Sequence, residues 1–337
     1  MFCSKDLSES VKDVPSAWIF ETYLGLGETL TGQSVKIKSA FNPKDSNPSM
    51  HIFFSLKLNQ YWFQDFSSGY KGSAMDMVMK LWNMDFGPAA QRVLSDYAKF
   101  KLKGGNAHRD IKPVAPWQIN HVRTRGWNVD DASYWGQFQI SSKMLEHYRV
   151  VPIQSYNMTK NEDGNISSFT VSNKCIYGYY SQDGTLCKVY QPLNPDRKFM
   201  KVADYLQGSD QMTYKKPYLV ICASLKDAMC LRSMKMELDV VAPDSENVLI
   251  SKEVIEIWKE SYEVIVTLFD NDAAGIKNMK AYKQKYDIPF AWLQMEKDLA
   301  DAVKAHGLLT VRNRVAPIIM RQIENVRAAL AESSTIL

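Results

Sequence analysis

Two aspartates one residue apart close a run of β-branched and apolar residues, Val264-Ile-Val-Thr-Leu-Phe-Asp270-Asn-Asp272-Ala-Ala-Gly275, and a helix-compatible segment follows. Such a run reads as a buried parallel strand feeding a helix. Asp270 and Asp272 then sit at the strand's carboxyl end, where open α/β sheets hold their ligands. Alternation along an extended backbone points both side chains the same way. Paired hard oxygen donors suit a divalent cation that carries phosphates, with Mg2+ (or Mn2+) the natural ion. The same spacing also serves a solvated turn whose aspartate merely caps the helix.

Other stretches carry charge in similar settings. Lys226-Asp227 lies just beyond the apolar run Tyr218–Cys222, Asp244 and Glu246 follow Leu238–Ala242, and Glu296-Lys297-Asp298-Leu-Ala-Asp301 opens a further helix. Asp298 reads either as a third metal ligand with Lys297 beside it to meet phosphate, or as a plain helix cap. Upstream, Lys188, Arg197, Lys198 and Lys201 cluster around Tyr190 and Phe199. Cations hold phosphates and aromatic rings stack bases, so this is the candidate face toward template or nucleotide. A cationic hairpin edge that keeps sheets apart accounts for the same residues.

The elements that must position these groups fit a chain of 337 residues with 45% hydrophobic and 12% aromatic content, enough for two or three domains with real cores. A net charge of +4 permits a nucleic-acid partner without demanding one. Cys3, Cys175, Cys187, Cys222 and Cys230 include no CxxC pair and read as reduced, buried thiols of a cytoplasmic protein. No apolar run approaches the ~20 residues that span a bilayer, so no membrane partner is expected.

Residues 1–100 pattern as a small sheet with helices packed on it: a helix around Ala17–Leu24, strands from Val35 and Met50, the aromatic strand Tyr61–Phe66, and the helix Ala74–Trp82. A polar, Gly- and Pro-bearing linker covers 101–118. Residues 119–215 combine two helices, capped near Asp131 and at Ser141 or Ser142, with strands and an Asp183-Gly184 hairpin turn. Residues 216–308 alternate strand and helix, which predicts a parallel sheet covered on both faces, with a last strand at Phe290–Leu293. A helical stripe over 309–337 (Val315, Ile319, Ile323, Val326, Leu330) ends the chain and reads as core.

Three of these regions resemble phage-type DnaG-like primases. Asp45-x-x-Pro48-Ser49, the aromatic strand, a Gly-bearing turn and the helix Ala74–Trp82 resemble the zinc-ribbon module ahead of the primase core. The ligand positions of that module fall near Ala40, Pro43, Phe63 and Phe66, so a zinc-less, degenerate template-binding module is expected, with aromatic packing as its cross-link. The segment from Asp131 to Pro152 is similar to the start of the primase catalytic core. The alternating region with Asp270-x-Asp272-x-Ala-Gly275 resembles a Toprim domain, in which a Glu-Gly pair follows the first strand and an Asp comes three residues after that Gly. Here Ala223 and Ser224 replace the pair, while Asp227 is kept. Asp244 or Glu246 is the candidate substitute carboxylate, or else the site is silent.

The resemblance implies a fold of α+β and α/β parts: a Toprim-type parallel sheet, a basic mixed subdomain and a small zinc-less sheet module. It implies a DNA primase that makes short RNA primers on single-stranded DNA from ribonucleoside triphosphates in phage replication. Asp270, Asp272, Asp227 and Glu246 are its catalytic candidates. Metal falls to Asp270, Asp272 and Asp298, and nucleotide or nucleic acid to Lys188, Arg197, Lys198, Lys201, Lys226 and Lys297. Contact with a replicative helicase would use the C-terminal helix or the N-terminal module. A non-catalytic, single-strand-binding replisome adaptor is the alternative that Ala223 motivates.

Overall fold

The computed structural model describes residues 10–112, 116–162, 165–245 and 249–335, so Cys3 and Glu246 lie outside the described residues. The chain divides into two compact units, 1–116 with 161–165, and 117–160 with 166–337.

In the first unit, β1 (Val35–Ile37), β2 (Met50–Ser55), β3 (Gln60–Asp65) and β4 (Lys71–Ser73) form an antiparallel sheet in sequence order. Alternation divides its faces. Met50, Ile52, Tyr61 and Phe63 point into a core shared with helices α1 (Ser16–Leu24), α2 (Ala74–Trp82) and α3 (Phe86–Leu102). His51, Phe53, Trp62 and Gln64 alternate with them and stay partly exposed. A capping box between Ser73 and Asp76 starts α2 directly from β4.

The polar stretch expected as a linker is largely part of this unit. Helix α3 runs to Leu102, Ala107 is buried in the core, and Arg109 makes a bidentate pair with Glu21 at 2.7 and 3.0 Å. The Lys112 amide donates to the Thr31 carbonyl at 2.8 Å. Polar composition concealed that these residues are pinned by hydrogen bonds and by Ala107 and Ile111 on the core.

The cross-link of this module also differs from the expectation. Of the four positions matched to zinc ligands, only Phe63 is buried among rings, 5.6 Å from Phe41 and 6.3 Å from Phe20, while Ala40, Pro43 and Phe66 are exposed. The loops are joined by a carboxylate. Asp65 is fully buried and accepts from Ser39 Oγ (2.5 Å), Ser68 Oγ (2.5 Å), the Ser67 amide (3.1 Å) and Ser49 Oγ (3.2 Å). Asp45 extends this hub, accepting from the Ser39 amide at 2.7 Å and Ser49 Oγ at 2.6 Å.

The second unit has two sheets. Strands β5 (Gln118–Thr124), β6 (Val150–Glu162), β7 (Asn165–Ser172), β8 (Tyr177–Tyr180), β9 (Leu186–Tyr190) and β10 (Phe199–Lys201) make an antiparallel sheet ordered β10-β9-β8-β6-β5, with β7 also on β6. The β8–β9 turn carries Gly184 at φ 85°, a conformation that favours glycine. The helices α4 (Val129–Gly136) and α5 (Ser142–His147) start on Asn128 and Ser141, whose side chains accept from Asp131 and Met144 amides.

The second sheet is parallel, ordered β12-β11-β13 from β11 (Tyr218–Cys222), β12 (Leu238–Val241) and β13 (Val264–Leu268). Along β11, Leu219 and Ile221 face one core with Ile255, Trp258, Met279 and Tyr282, while Val220 and Cys222 face the other. Helices α7 (Lys252–Ser261) and α8 (Ala273–Tyr286) thus cover one side. Helices α6 (Leu225–Ser233), α9 (Leu299–His306) and α10 (Leu308–Thr335) cover the other. The strand expected over Phe290–Leu293 is reduced to one parallel bridge, Thr267 to Phe290.

No core boundary falls at residue 216. Trp135, Tyr177 and Tyr190 share one apolar cluster with Val220, Leu231 and Val303. Val311, Val315, Ile319 and Ile323 anchor the first half of α10 in that cluster. Among the described residues, no helix is long and apolar enough to cross a membrane.

Candidate active site

Parallel strands that end together place the helix starts that follow them side by side, and the acids lie there. Ser224 caps α6, Asp272 caps α8 and Asp298 caps α9. Asp227 occupies the first turn of α6, with its Oδ1 accepting from the Ala300 amide of α9 at 3.0 Å and its Oδ2 from Ser224 Oγ at 2.5 Å. The bond from Ala300 joins α9 to α6, while the one from Ser224 stays within the start of α6. Gly275 is required next to Asp270, because a Cβ there would lie 2.2 Å from the Asp270 carbonyl oxygen. The first turn of α8 thereby closes directly on the end of β13.

Asp227, Asp270 and Asp298 each offer a carboxylate oxygen, and these oxygens lie within 4.8 Å of one another. The grouping differs from the expected Asp270–Asp272 pair. Asp272 spends Oδ1 on the Ala274 and Gly275 amides, at 3.0 and 2.9 Å, so it turns into its own helix. Strand β13 ends at Leu268, so neither aspartate lies within the paired strand whose alternation would align them. Asp298 caps α9, its Oδ1 accepting from the Asp301 amide at 2.6 Å, and its carboxylate also lies in the trio.

Burial and the Asp298 charge push the Asp227 carboxyl up to about 7. The Gly275 amide, chiefly, holds Asp272 below the ordinary carboxylate value. Lys297 is 63% exposed, 3.5 Å from Asp272 Oδ2 and 3.9 Å from Asp270 Oδ2. Lys226, expected to meet nucleotide, is turned inward: its side chain is 12% exposed and lies 3.6 Å from Asp298 Oδ2. A cavity of about 10 Å³ lies among Asp227, Asp270, Lys297 and Asp298, closed by Leu268, Phe269, Leu293 and Leu299. Three hard oxygen donors around a space of that size fit a divalent ion such as Mg2+.

The substitute carboxylate Asp244 is engaged elsewhere. Its backbone carbonyl accepts from Lys188 Nζ at 2.5 Å, and its Oδ2 lies 2.6 Å from Lys201 Nζ. Lys188 is consequently buried, and burial lowers its pKa. Lys201 also pairs with Asp204. Arg197 and Lys198 are exposed beside Phe199, which is 48% exposed and stacks on Tyr190 at 4.7 Å. The expected cationic cluster thus divides into two solvent-facing cations and two that anchor Asp244. The Ser224 and Ala300 contacts to Asp227 carry no sequence signal, since one is an ordinary helix cap and the other a backbone amide.

No protein-family model and no curated protein matches the chain. Among solved structures, the chain is similar to the zinc-binding and RNA polymerase domains of the Aquifex aeolicus primase, at 14% identity and TM-score 0.42, over 94% of this chain and 86% of that one. It is similar to the primase fragment of the bacteriophage T7 primase-helicase at 14% identity and TM-score 0.35, over 86% and 98%. A third similarity is to a chain from the bacteriophage T7 lagging-strand DNA polymerase with primase domains of two gp4 subunits bound to an RNA/DNA hybrid and dTTP. There the identity is 14% and the TM-score 0.34, over 57% of this chain and 96% of that one.

Proposed function

We propose that the chain is a primase-type nucleotidyltransferase that makes short RNA primers on single-stranded DNA. The observation that carries this reading is the convergence of Asp227, Asp270 and Asp298 at the carboxyl end of a parallel sheet. These three residues would hold Mg2+ or Mn2+, which when bound neutralises developing charge on a transferring phosphoryl group. Lys297, the exposed cation at the rim, would orient the triphosphate, and Arg197 and Lys198 with Phe199 would hold template or primer strand by charge and stacking. In the first unit, the outer sheet face sets His51 and Phe53, with rings 5.5 Å apart, beside Trp62, Lys36 and Lys71, a surface suited to single-stranded template without zinc. A replicative helicase is the proposed partner, and a host-cell cytoplasm is the proposed setting.

The test is incorporation of labelled ribonucleotides on single-stranded DNA with Mg2+. Wild type is expected to make short RNA, and Asp270→Ala to make none; robust synthesis by that variant would refute the assignment. A non-catalytic single-strand-binding adaptor is favoured by one observation, the methyl group of Ala223 at the end of β11 where a further carboxylate would complete the site. Tight single-strand binding with no incorporation under Mg2+ or Mn2+, alone or with helicase, would select that reading.

A further inference from the structure

Two lysines approach the carboxylates in different ways. Lys297 reaches them from the rim, and at 63% exposure it is free to swing into solvent or toward a ligand. Lys226 comes from within. Its ammonium lies 3.6 Å from Asp298 Oδ2 and 3.9 Å from Asp301 Oδ1, and 4.5 Å from the centre of the Phe138 ring, itself 4% exposed. Withdrawing that ammonium would remove the ion-pair partner of Asp298 Oδ2 and the cation over the Phe138 ring. Two carboxylates, Asp298 and Asp301, stand within 4 Å of the ammonium and match its charge on the spot. A fixed unit of positive charge is therefore built into the acidic site.

The space left over is small. The cavity among the carboxylates measures about 10 Å³, close to the room that one water-sized sphere needs. Two-metal phosphoryl-transfer sites place their ions about 3.5–4 Å apart, so a second ion would stand outside this enclosed space, and Lys226 would repel it.

We propose that Lys226 is a resident counter-cation of the Asp227–Asp270–Asp298 trio, taking the share of the field that a second divalent ion would use and restricting the site to one ion. This rests on the metal reading of the trio given above. Unlike Lys297, Lys226 does not exchange with ligand.

Calorimetric titration of the metal-stripped full chain with MnCl2, paired with thermal midpoints in EDTA and in saturating Mg2+, tests the assignment in wild type, Lys226→Met and Lys226→Arg. Wild type is expected to bind one ion. Lys226→Met keeps the apolar stem but loses the charge, so the ion should bind roughly tenfold tighter, the order expected when a unit charge beside a divalent ion is removed. Its midpoint should fall in EDTA and recover in Mg2+, whereas Lys226→Arg should behave as wild type. Two ions in wild type, or unchanged or weaker binding by Lys226→Met, would overturn the role of Lys226 alone. No binding by wild type would overturn the metal reading and this role with it. Should Lys226→Met not fold, the wild-type stoichiometry and the arginine variant still decide.

Discussion

Replacing Asp65 by alanine should loosen the first unit far more than a surface acid would. The carboxylate is fully buried and takes four hydrogen bonds from Ser39, Ser49, Ser67 and Ser68. The Ser67 amide and Ser68 hydroxyl are near enough to solvent to turn to water, but Ser39 is 8% exposed and would be left without its acceptor. An orphaned buried hydroxyl costs about 1–3 kcal/mol, and each of the other bonds about 1 kcal/mol net. The sum is roughly 4–6 kcal/mol, reduced somewhat because a buried carboxylate no longer needs to be desolvated. For a unit of this size that is a fall of roughly 10 °C or more in its midpoint. Asp65→Asn should fall between the two, since its amide nitrogen meets hydroxyl donors on one side. Hydrogen exchange of peptides covering residues 39–73 reads the effect locally, without interference from the second unit. Wild-type protection in Asp65→Ala would refute the hub. Loss of protection in the wild-type protein on adding a chelator would instead show that a metal holds these loops.

The acidic site yields three more expectations. Asp227 titrates near 7 in the folded chain and near 3.9 unfolded, so the folded state retains a proton that the unfolded state loses. Metal-free stability should therefore fall as pH rises from about 4 to 7, by a few kcal/mol, and then level off. Thermal midpoints in EDTA should show this slope, Asp227→Asn should flatten it, and the stabilisation by Mg2+ should grow over the same interval as the proton is displaced. Gly275→Ala drives a Cβ into the Asp270 carbonyl; a loss of about 1–3 kcal/mol together with weakened Mn2+ binding is expected in the same melts and in calorimetry. Ile319→Ala, in the buried stripe of α10, should cost about 2–5 kcal/mol by urea unfolding; a neutral result would remove that helix from the core.

The parallel sheet was the most legible part of the chain, because β11, β12 and β13 are buried on both faces and their apolar runs have no other use. Asp270 was legible for the same reason, being the first carboxylate beyond such a run. Its partners were not. Which acids neighbour Asp270 depends on how the chain runs beyond the end of β13 at Leu268, and capping by Asp272 is decided by backbone amides that carry no sequence signature. Lys188 and Lys201 read as nucleic-acid contacts because their cross-strand neighbours were legible, while Asp244, over forty residues further on, was not recognisable as their counter-ion. Asp65 had a usable signal: it continues the inward alternation of Tyr61 and Phe63, and a carboxylate in a core-facing register must find donors. The stretch after Leu102 does hold the division between the two units, after residue 116, but composition hid that Ala107 in the core and the Arg109–Glu21 pair tie its first part down.

Crystals of the full chain soaked in MnCl2 and measured at the manganese absorption edge test the central claim most directly. One anomalous peak, within about 2.0–2.3 Å of carboxylate oxygens from Asp227, Asp270 and Asp298, is the predicted result, with Lys226 still against Asp298. A peak held by Asp270 and Asp272 without Asp227, or no peak at this sheet end, would contradict it.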